Sequence, residues 1–155
     1  MTAEIIRDHT LLRTTIERLK KQGKKIIFAN GCFDILHVGH VRYLQEAKTL
    51  GDVLVVAVND DASMRSLKGK GHPFMPEEER MEILAALRCT DYITLFSEKT
   101  VDNLLLHLRP HVQAKGTDYT VETVPERETD MSYGGEIAIT GDKKTHSSSW
   151  IKNDL

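Results

Sequence analysis

The chain has 155 residues, of which 40% are hydrophobic and 28% are charged, and its formal net charge is −2. This balance predicts one globular domain and excludes the strong basic field of a nucleic-acid-binding protein. The longest apolar run, residues 53–58, is far too short to cross a membrane. Cys32 and Cys89 form no CxxC pair, which argues against a disulfide framework and fits a cytoplasmic protein.

The first half of the chain contains a helical pattern followed by a βαβ pattern. Helical apolar spacing stops at Gly23, whereas the later apolar runs are short and β-branched, as strands are. The predicted elements are a helix over residues 11–22, a strand over 25–29, a helix over 39–49 and a strand over 53–58. We expect residues 1–24 to form an N-terminal accessory helix ahead of a catalytic α/β core over residues 25–155.

The second half continues the alternation of helices and strands. Pro76 and the three glutamates after it are typical of a helix start, and Pro110 ends a later helix. The predicted elements are helices over residues 76–87, 100–108 and 147–155 and strands over 92–96, 112–114 and 136–140. The whole chain is therefore predicted to be a single-domain, Rossmann-like α/β fold, a parallel sheet with helices on both faces and a ligand site beyond the carboxyl ends of its strands.

The strongest functional signal is the string NGCFDILHVGH at residues 30–40, between the first βαβ strand and its helix. Phosphates bind at this position in α/β sheets. His37 and His40 are three residues apart, so a helical turn brings both rings to one anion. Gly39 removes a side chain between them. Two imidazole donors can stabilise the charge that develops when a phosphorus centre reacts.

Other interpretations of this string are weaker. The histidines could cap a helix or form a surface pair, and together with Cys32 they could bind a metal ion. A structural zinc site needs four ligands, and no second ligand pair lies nearby, so no protein metal site is predicted. Cys32 as a covalent nucleophile is disfavoured because direct transfer between phosphates needs no covalent intermediate.

Three further segments carry candidate binding residues. Lys68 and Lys70 both lie in a basic glycine-rich segment. Lys68 is the first candidate and Lys70 the second for neutralising phosphate charge, although the segment could simply be a solvated loop. Gly116 permits close backbone approach, and Asp118 could accept hydrogen bonds from a ribose or a base or form an Asx turn. The three serines at residues 147–149 could bind an anion or cap a helix.

The residues His37-Val38-Gly39-His40 resemble the HxGH signature of the cytidylyltransferase-like nucleotidyltransferases. The resemblance implies the nucleotidyltransferase fold, a transition state stabilised by His37 and His40, and Lys68 as the lysine that neutralises phosphate. It also implies a supporting position for Arg80 near the floor of the site. The predicted nucleotide-binding residues are Gly31, Cys32, Phe33, His37, His40, Lys115, Gly116, Asp118, Ser147, Ser148 and Ser149, and the supporting residues are Asn30, Asp34 and Arg80.

Residues 115–119, 123–128, 134–139 and 146–149 resemble the adenylyltransferase domain of the bacterial heptose 1-phosphate pathway. The resemblance implies transfer of AMP from ATP, with Mg²⁺, to heptose 1-phosphate and release of pyrophosphate. It also implies the stand-alone form of this domain and a homodimer. The closing motif lacks the arginine and glycine of the related cytidylyltransferases, and Thr145-His146 favours the adenylyl subgroup.

Three alternatives remain open from the sequence. A glycerol-3-phosphate or related cytidylyltransferase would use the same chemistry with CTP. A nucleotide-binding regulatory module would keep the fold without turnover, although the intact His37, His40 and Lys68 argue against lost catalysis. A fragment of an RNA-linked synthetase is disfavoured, since the chain is short and lacks a basic face.

Overall fold

A computed structural model describes residues 2–142 as a sheet flanked by helices. The strands are β1 (Glu4–Ile5), β2 (Ile26–Gly31), β3 (Val53–Asn59), β4 (Tyr92–Phe96), β5 (Val112–Lys115) and β6 (Glu136–Ile139). The helices are α1 (His9–Lys21), α2 (Val38–Thr49), α3 (Asp61–Lys68), α4 (Glu77–Ala85), α5 (Asp102–Leu108) and α6 (Arg127–Ser132). The predicted terminal helix, with Ser147, Ser148 and Ser149, lies outside the described residues.

The strands form one parallel sheet in the order β1-β4-β3-β2-β5-β6. From β2 the chain builds outward through β3 and β4, and it then crosses back to add β5 and β6 on the other side. The strand order therefore reverses between β2 and β5, the position where open α/β sheets bind ligands. This topology confirms the predicted parallel α/β fold.

Two apolar layers cover the sheet, one on each face. Every residue of β3 is buried, as expected of a central parallel strand covered on both sides. Its side chains alternate between the two layers. The layer containing Leu54 and Val56 packs against α2 and α4, and the layer containing Val55 and Ala57 packs against α1 and α5.

The structure contains three elements that the sequence pattern did not predict, namely β1, α3 and α6. Strand β1 has two residues and exists through its pairing with β4, so no periodicity could reveal it. Helix α3 includes Leu67 and Lys68, which the sequence placed in a loop. Within residues 1–24, Leu12 and Ile16 of α1 are completely buried, so this helix belongs to the core layer that covers one face of the sheet.

Candidate active site

A cavity of about 460 Å³ opens at the carboxyl ends of β2, β3 and β5. Its size is typical of sites for small molecules and cofactors. The cavity collects many of the residues that the sequence singled out, although they come from three separate segments of the chain. Those residues are Asn30, Gly31, Cys32, Phe33, His37, His40, Lys68, Lys115, Gly116 and Asp118.

Residues 31–40, which run from the end of β2 into the first turn of α2 and are called the β2–α2 turn, hold the two histidines in a closed arrangement. His37 is the N-cap of α2, and its Nδ1 accepts the backbone N–H of Gly39 at 3.1 Å. The backbone N–H of His37 donates to Nδ1 of His40 at 3.3 Å. The two rings stack with their centroids 3.9 Å apart, and the ring of Phe33 contacts His40 edge-on. The histidines therefore form the helix cap that the sequence left as an alternative, and these are the same residues for which a phosphate site is predicted.

This hydrogen bonding selects the tautomer of both rings. A neutral imidazole that accepts a hydrogen bond at Nδ1 carries its hydrogen at Nε2. His37 and His40 are each assigned an Nε2–H group on this ground. Both side chains line the cavity, so the site is equipped with two neighbouring donors of the kind that bind phosphate oxygens.

Arg80 supports the site from beneath the cavity wall. Its side chain is completely buried, and Nη1 donates to the backbone oxygens of Cys32 and Asn59, each at 2.7 Å. Nε donates to the Met75 oxygen at 2.9 Å, and Nη2 donates to Asp61 at 2.8 Å. Arg80 therefore ties together the segments that follow β2 and β3, and it does not line the cavity itself.

Asp34 has a similar supporting position. Its carboxylate is 1% exposed and accepts the backbone N–H groups of Phe74 at 2.9 Å and Met75 at 3.0 Å. His72 Nδ1 lies 3.6 Å from the same carboxylate. Asp34 thereby fastens the β2–α2 turn to the segment before α4, and it also lies outside the cavity lining.

Among the lysines and arginines of residues 2–142 that line the cavity, Lys115 is the most enclosed. It ends β5, is 7% exposed, and places Nζ 3.9 Å from Oε1 of Glu126 and 4.7 Å from the ring centre of Tyr119. Burial raises the pKa of the Tyr119 phenol, with further contributions from Asp118 and Glu126, so the ring stays neutral at physiological pH. The lysine is thus held between a carboxylate and an aromatic face.

Lys68 occupies the opposite kind of environment. It is exposed at the end of α3 and is followed by Gly69 and Gly71, both at φ +90°, a backbone conformation that favours glycine. Lys68 lines the cavity and Lys70 does not. Of the two lysines that the sequence left open, Lys68 is the one beside the other candidate residues.

The cavity also contains residues that the sequence interpretation did not select. Tyr43 donates its hydroxyl to the Ala114 backbone oxygen at 2.6 Å, and burial raises the pKa of this phenol. Arg42 and Lys99 add positive charge to the cavity, and Glu126 adds a buried carboxylate. Tyr43 lies three residues, about one helical turn, beyond His40, so helix periodicity could have placed it near the site.

Within residues 2–142, no group of three or more histidine, cysteine, aspartate or glutamate side chains could hold a metal ion. No helix in the described part of the chain is long and apolar enough to cross a membrane.

The parallel sheet, the histidine pair and the cations around one cavity define a nucleotide-binding α/β enzyme site. The cytidylyltransferase-like family matches residues 28–152, and the chain belongs to that family. This membership confirms the nucleotidyltransferase class that the HxGH residues indicated.

Relatives in sequence share about half of their aligned residues with the chain. The bifunctional protein HldE of Pelobacter propionicus is 52% identical over 134 residues, which cover 86% of this chain and 28% of that protein. HldE of Geobacter metallireducens is 54% identical over 124 residues, covering 80% of this chain and 25% of that protein. The chain thus spans about a quarter of the length of these relatives.

Solved structures with the same fold extend the comparison. A lipopolysaccharide core biosynthesis protein from Thermoplasma volcanium has a TM-score of 0.68 at 29% identity, covering 79% of this chain and 100% of that one. A pantoate-beta-alanine ligase from Francisella tularensis has a TM-score of 0.70 at 19% identity, covering 99% of this chain and 73% of that one. The second likeness shows the fold alone.

Proposed function

We propose that the chain is an adenylyltransferase that transfers AMP from ATP to heptose 1-phosphate, releasing pyrophosphate and forming ADP-heptose. The observation that carries the proposal is the pair of stacked histidines, each assigned an Nε2–H group, in the wall of a cavity at the reversal of the sheet order. A phosphate oxygen of the acceptor would attack the α-phosphorus in line with the departing pyrophosphate. One P–O bond forms as another breaks, and pyrophosphate takes the electron pair.

The residues of the site suit this reaction because it demands charge stabilisation more than proton transfer. A sugar 1-phosphate is anionic at neutral pH, so its attacking oxygen needs no strong general base. Nε2–H donors of His37 and His40 would bind the non-bridging oxygens of the α-phosphate as negative charge builds up on them. Their hydrogen bonds to the backbone fix the rings before the substrate arrives.

The remaining charge would be neutralised by cations and by Mg²⁺ that enters with ATP. Lys68, Lys99, Lys115 and Arg42 all line the cavity. We assign Lys68 to the phosphates because its exposed position beside two glycines lets it approach bound substrate. Gly116 and Asp118, just after β5, would contact the nucleoside part of ATP.

The choice of ATP and heptose 1-phosphate rests on sequence likeness. The segments over residues 115–119, 123–128 and 134–139 carry the heptose-pathway resemblance, and the HldE relatives are about 50% identical over most of the chain. The solved relative from Thermoplasma volcanium is described as a lipopolysaccharide core biosynthesis protein, which supports a sugar acceptor. The homodimer and the cytoplasmic location stay predictions.

The proposal is tested by measuring pyrophosphate release with each of ATP, CTP, GTP and UTP against a panel of sugar and polyol phosphates. We expect turnover with ATP and heptose 1-phosphate to exceed every other combination. A CTP preference with glycerol 3-phosphate would indicate the related cytidylyltransferase activity. Nucleotide binding without turnover on any acceptor would indicate a regulatory module.

A further inference from the structure

Glu126 places a buried carboxylate in the wall of the active-site cavity. The residue is 3% exposed and lines the cavity. It also stands just before α6, where a side chain could cap that helix. Its side chain makes no capping hydrogen bond to that helix. The carboxylate therefore does not serve as the cap of α6.

The contacts of this carboxylate are long. Oε2 accepts the backbone N–H of Val101 at 3.3 Å, Oε1 accepts Nε2 of Gln113 at 3.4 Å, and Nζ of Lys115 lies 3.9 Å from Oε1. Hydrogen bonds from nitrogen to oxygen usually measure about 2.7 to 3.2 Å. A carboxylate offers about four acceptor positions, so Glu126 retains capacity for further donors.

A ligand that supplied hydroxyl hydrogens would suit this position. Burying a carboxylate is costly unless hydrogen bonds replace its lost water. Neighbouring hydroxyls of a sugar ring can donate to carboxylate oxygens, and the ammonium group of Lys115 beside them can donate to hydroxyl oxygens. A phosphate group would be repelled by the carboxylate, so the wall around Glu126 favours a polyhydroxyl ligand over an anion.

We propose that Glu126 is a substrate-binding residue that accepts hydrogen bonds from hydroxyls of a sugar ring. The inference rests on the proposed function, because that reaction brings two hydroxylated rings into one cavity, the ribose of ATP and the acceptor sugar. Both present the same chemistry to the carboxylate. The experiment therefore removes hydroxyls from each substrate in turn.

The first arm uses the unmodified protein. ATP is compared with 2′-deoxy-ATP and 3′-deoxy-ATP by calorimetric binding, and heptose 1-phosphate is compared by kcat/KM with analogues that each lack one ring hydroxyl. We expect loss of one hydroxyl to weaken binding or kcat/KM about tenfold or more, as for a hydrogen bond to a charged group. If every analogue stays within about twofold of its parent substrate, the proposal is overturned.

The second arm replaces the carboxylate, with Glu126→Gln as the test variant and the exposed Glu122→Gln as the matched control. Glutamine keeps one neutral acceptor oxygen, so in Glu126→Gln the intact substrate should lose part of the affinity or kcat/KM that the deoxy analogue loses in the parent. Removal of that hydroxyl should then cost correspondingly less in Glu126→Gln than in the parent. The affected substrate, ATP or acceptor, identifies the ring. Unchanged hydroxyl penalties in Glu126→Gln would overturn the assignment, and Glu126→Asp serves the same comparison if the glutamine variant does not fold.

The two proposals fail in different ways. Absence of turnover with heptose 1-phosphate refutes the proposed function, whereas the calorimetric comparison of ATP with its deoxy forms still reports on Glu126. In that case the acceptor arm uses whichever sugar phosphate supports pyrophosphate release. Turnover with heptose 1-phosphate but no hydroxyl penalty linked to Glu126 refutes only the inference about Glu126.

Discussion

The segments that follow β2 and β3 hold their charged and polar side chains in contrasting ways. In the β2–α2 turn, backbone hydrogen bonds fix both histidine rings, and buried Arg80 and Asp34 support the turn from below. The segment after β3 instead carries Lys68 exposed at a helix end, ahead of two glycines with positive φ. Under the proposed function, the groups that stabilise the transition state are preorganised, and the group that neutralises incoming phosphate is left accessible.

Arg80→Ala should produce the largest effect, because it removes the support of the fixed turn. The substitution leaves the backbone oxygens of Cys32, Asn59 and Met75 without the guanidinium that now donates to them. We expect the free energy of unfolding to fall by about 3 kcal/mol. Denaturant unfolding monitored by circular dichroism measures this, with the exposed Arg88→Ala as control. A loss no larger than that of the control would show that Arg80 does not hold the turn.

His37→Ala or His40→Ala should lower kcat about a hundredfold or more, as for other preorganised transition-state donors. Each variant removes one assigned Nε2–H donor together with one link of the cap. Pyrophosphate release at saturating substrate measures the effect in folded protein. His107→Ala, which lies outside the cavity lining, is the control. Turnover within a few fold of the parent in either variant would remove these residues from the reaction.

Lys68→Ala tests the segment after β3, in which the charged side chain is exposed. Because Lys68 is exposed and its charge matters most when both substrates are bound, kcat should fall roughly tenfold while ATP binding alone changes little. Calorimetric titration with ATP and steady-state kinetics separate the two quantities. Lys70→Ala, outside the cavity lining, should leave both unchanged. Abolished ATP binding with normal turnover at saturation would reassign Lys68 to binding of the free nucleotide.

The preference for one nucleotide over another is the smallest expected effect. It involves neither the β2–α2 turn nor the segment after β3. ATP should be preferred over CTP by at least about tenfold in kcat/KM, a difference of ~1.4 kcal/mol that one or two hydrogen bonds to the base can supply. Competition between the two nucleotides for one acceptor measures it. Equal rates, or a preference for CTP, would leave the transferase class in place and contradict the heptose assignment.

The fixed turn was predictable from the sequence because its determinants are local. His37, Gly39 and His40 lie within four residues, a short distance after an apolar strand, so the motif and the strand pattern together predict a phosphate site there. The same holds for the central strands, whose apolar runs are continuous. The parallel sheet follows from the alternation of these strands with helices.

The supporting position of Arg80 was expected from the family resemblance, but its contacts were not predictable from local pattern, because they join segments far apart in the chain. Arg80 contacts Cys32, which lies 48 residues away, and a buried arginine has the same local pattern as a surface one. Lys115 and Glu126 are 11 positions apart, and nothing between them indicates that both reach one cavity. Strand β1 depends likewise on β4. Tertiary partners rather than local pattern determine these features.

The central claim, transfer of AMP, is tested most directly by following a radioactive label from ATP to the products. With label in the α-phosphate of ATP, the account predicts that heptose 1-phosphate becomes labelled as ADP-heptose. With label in the γ-phosphate, the label should appear only in pyrophosphate. Transfer of the γ-label to the sugar, or an α-label that never appears in ADP-heptose, would contradict nucleotidyl transfer.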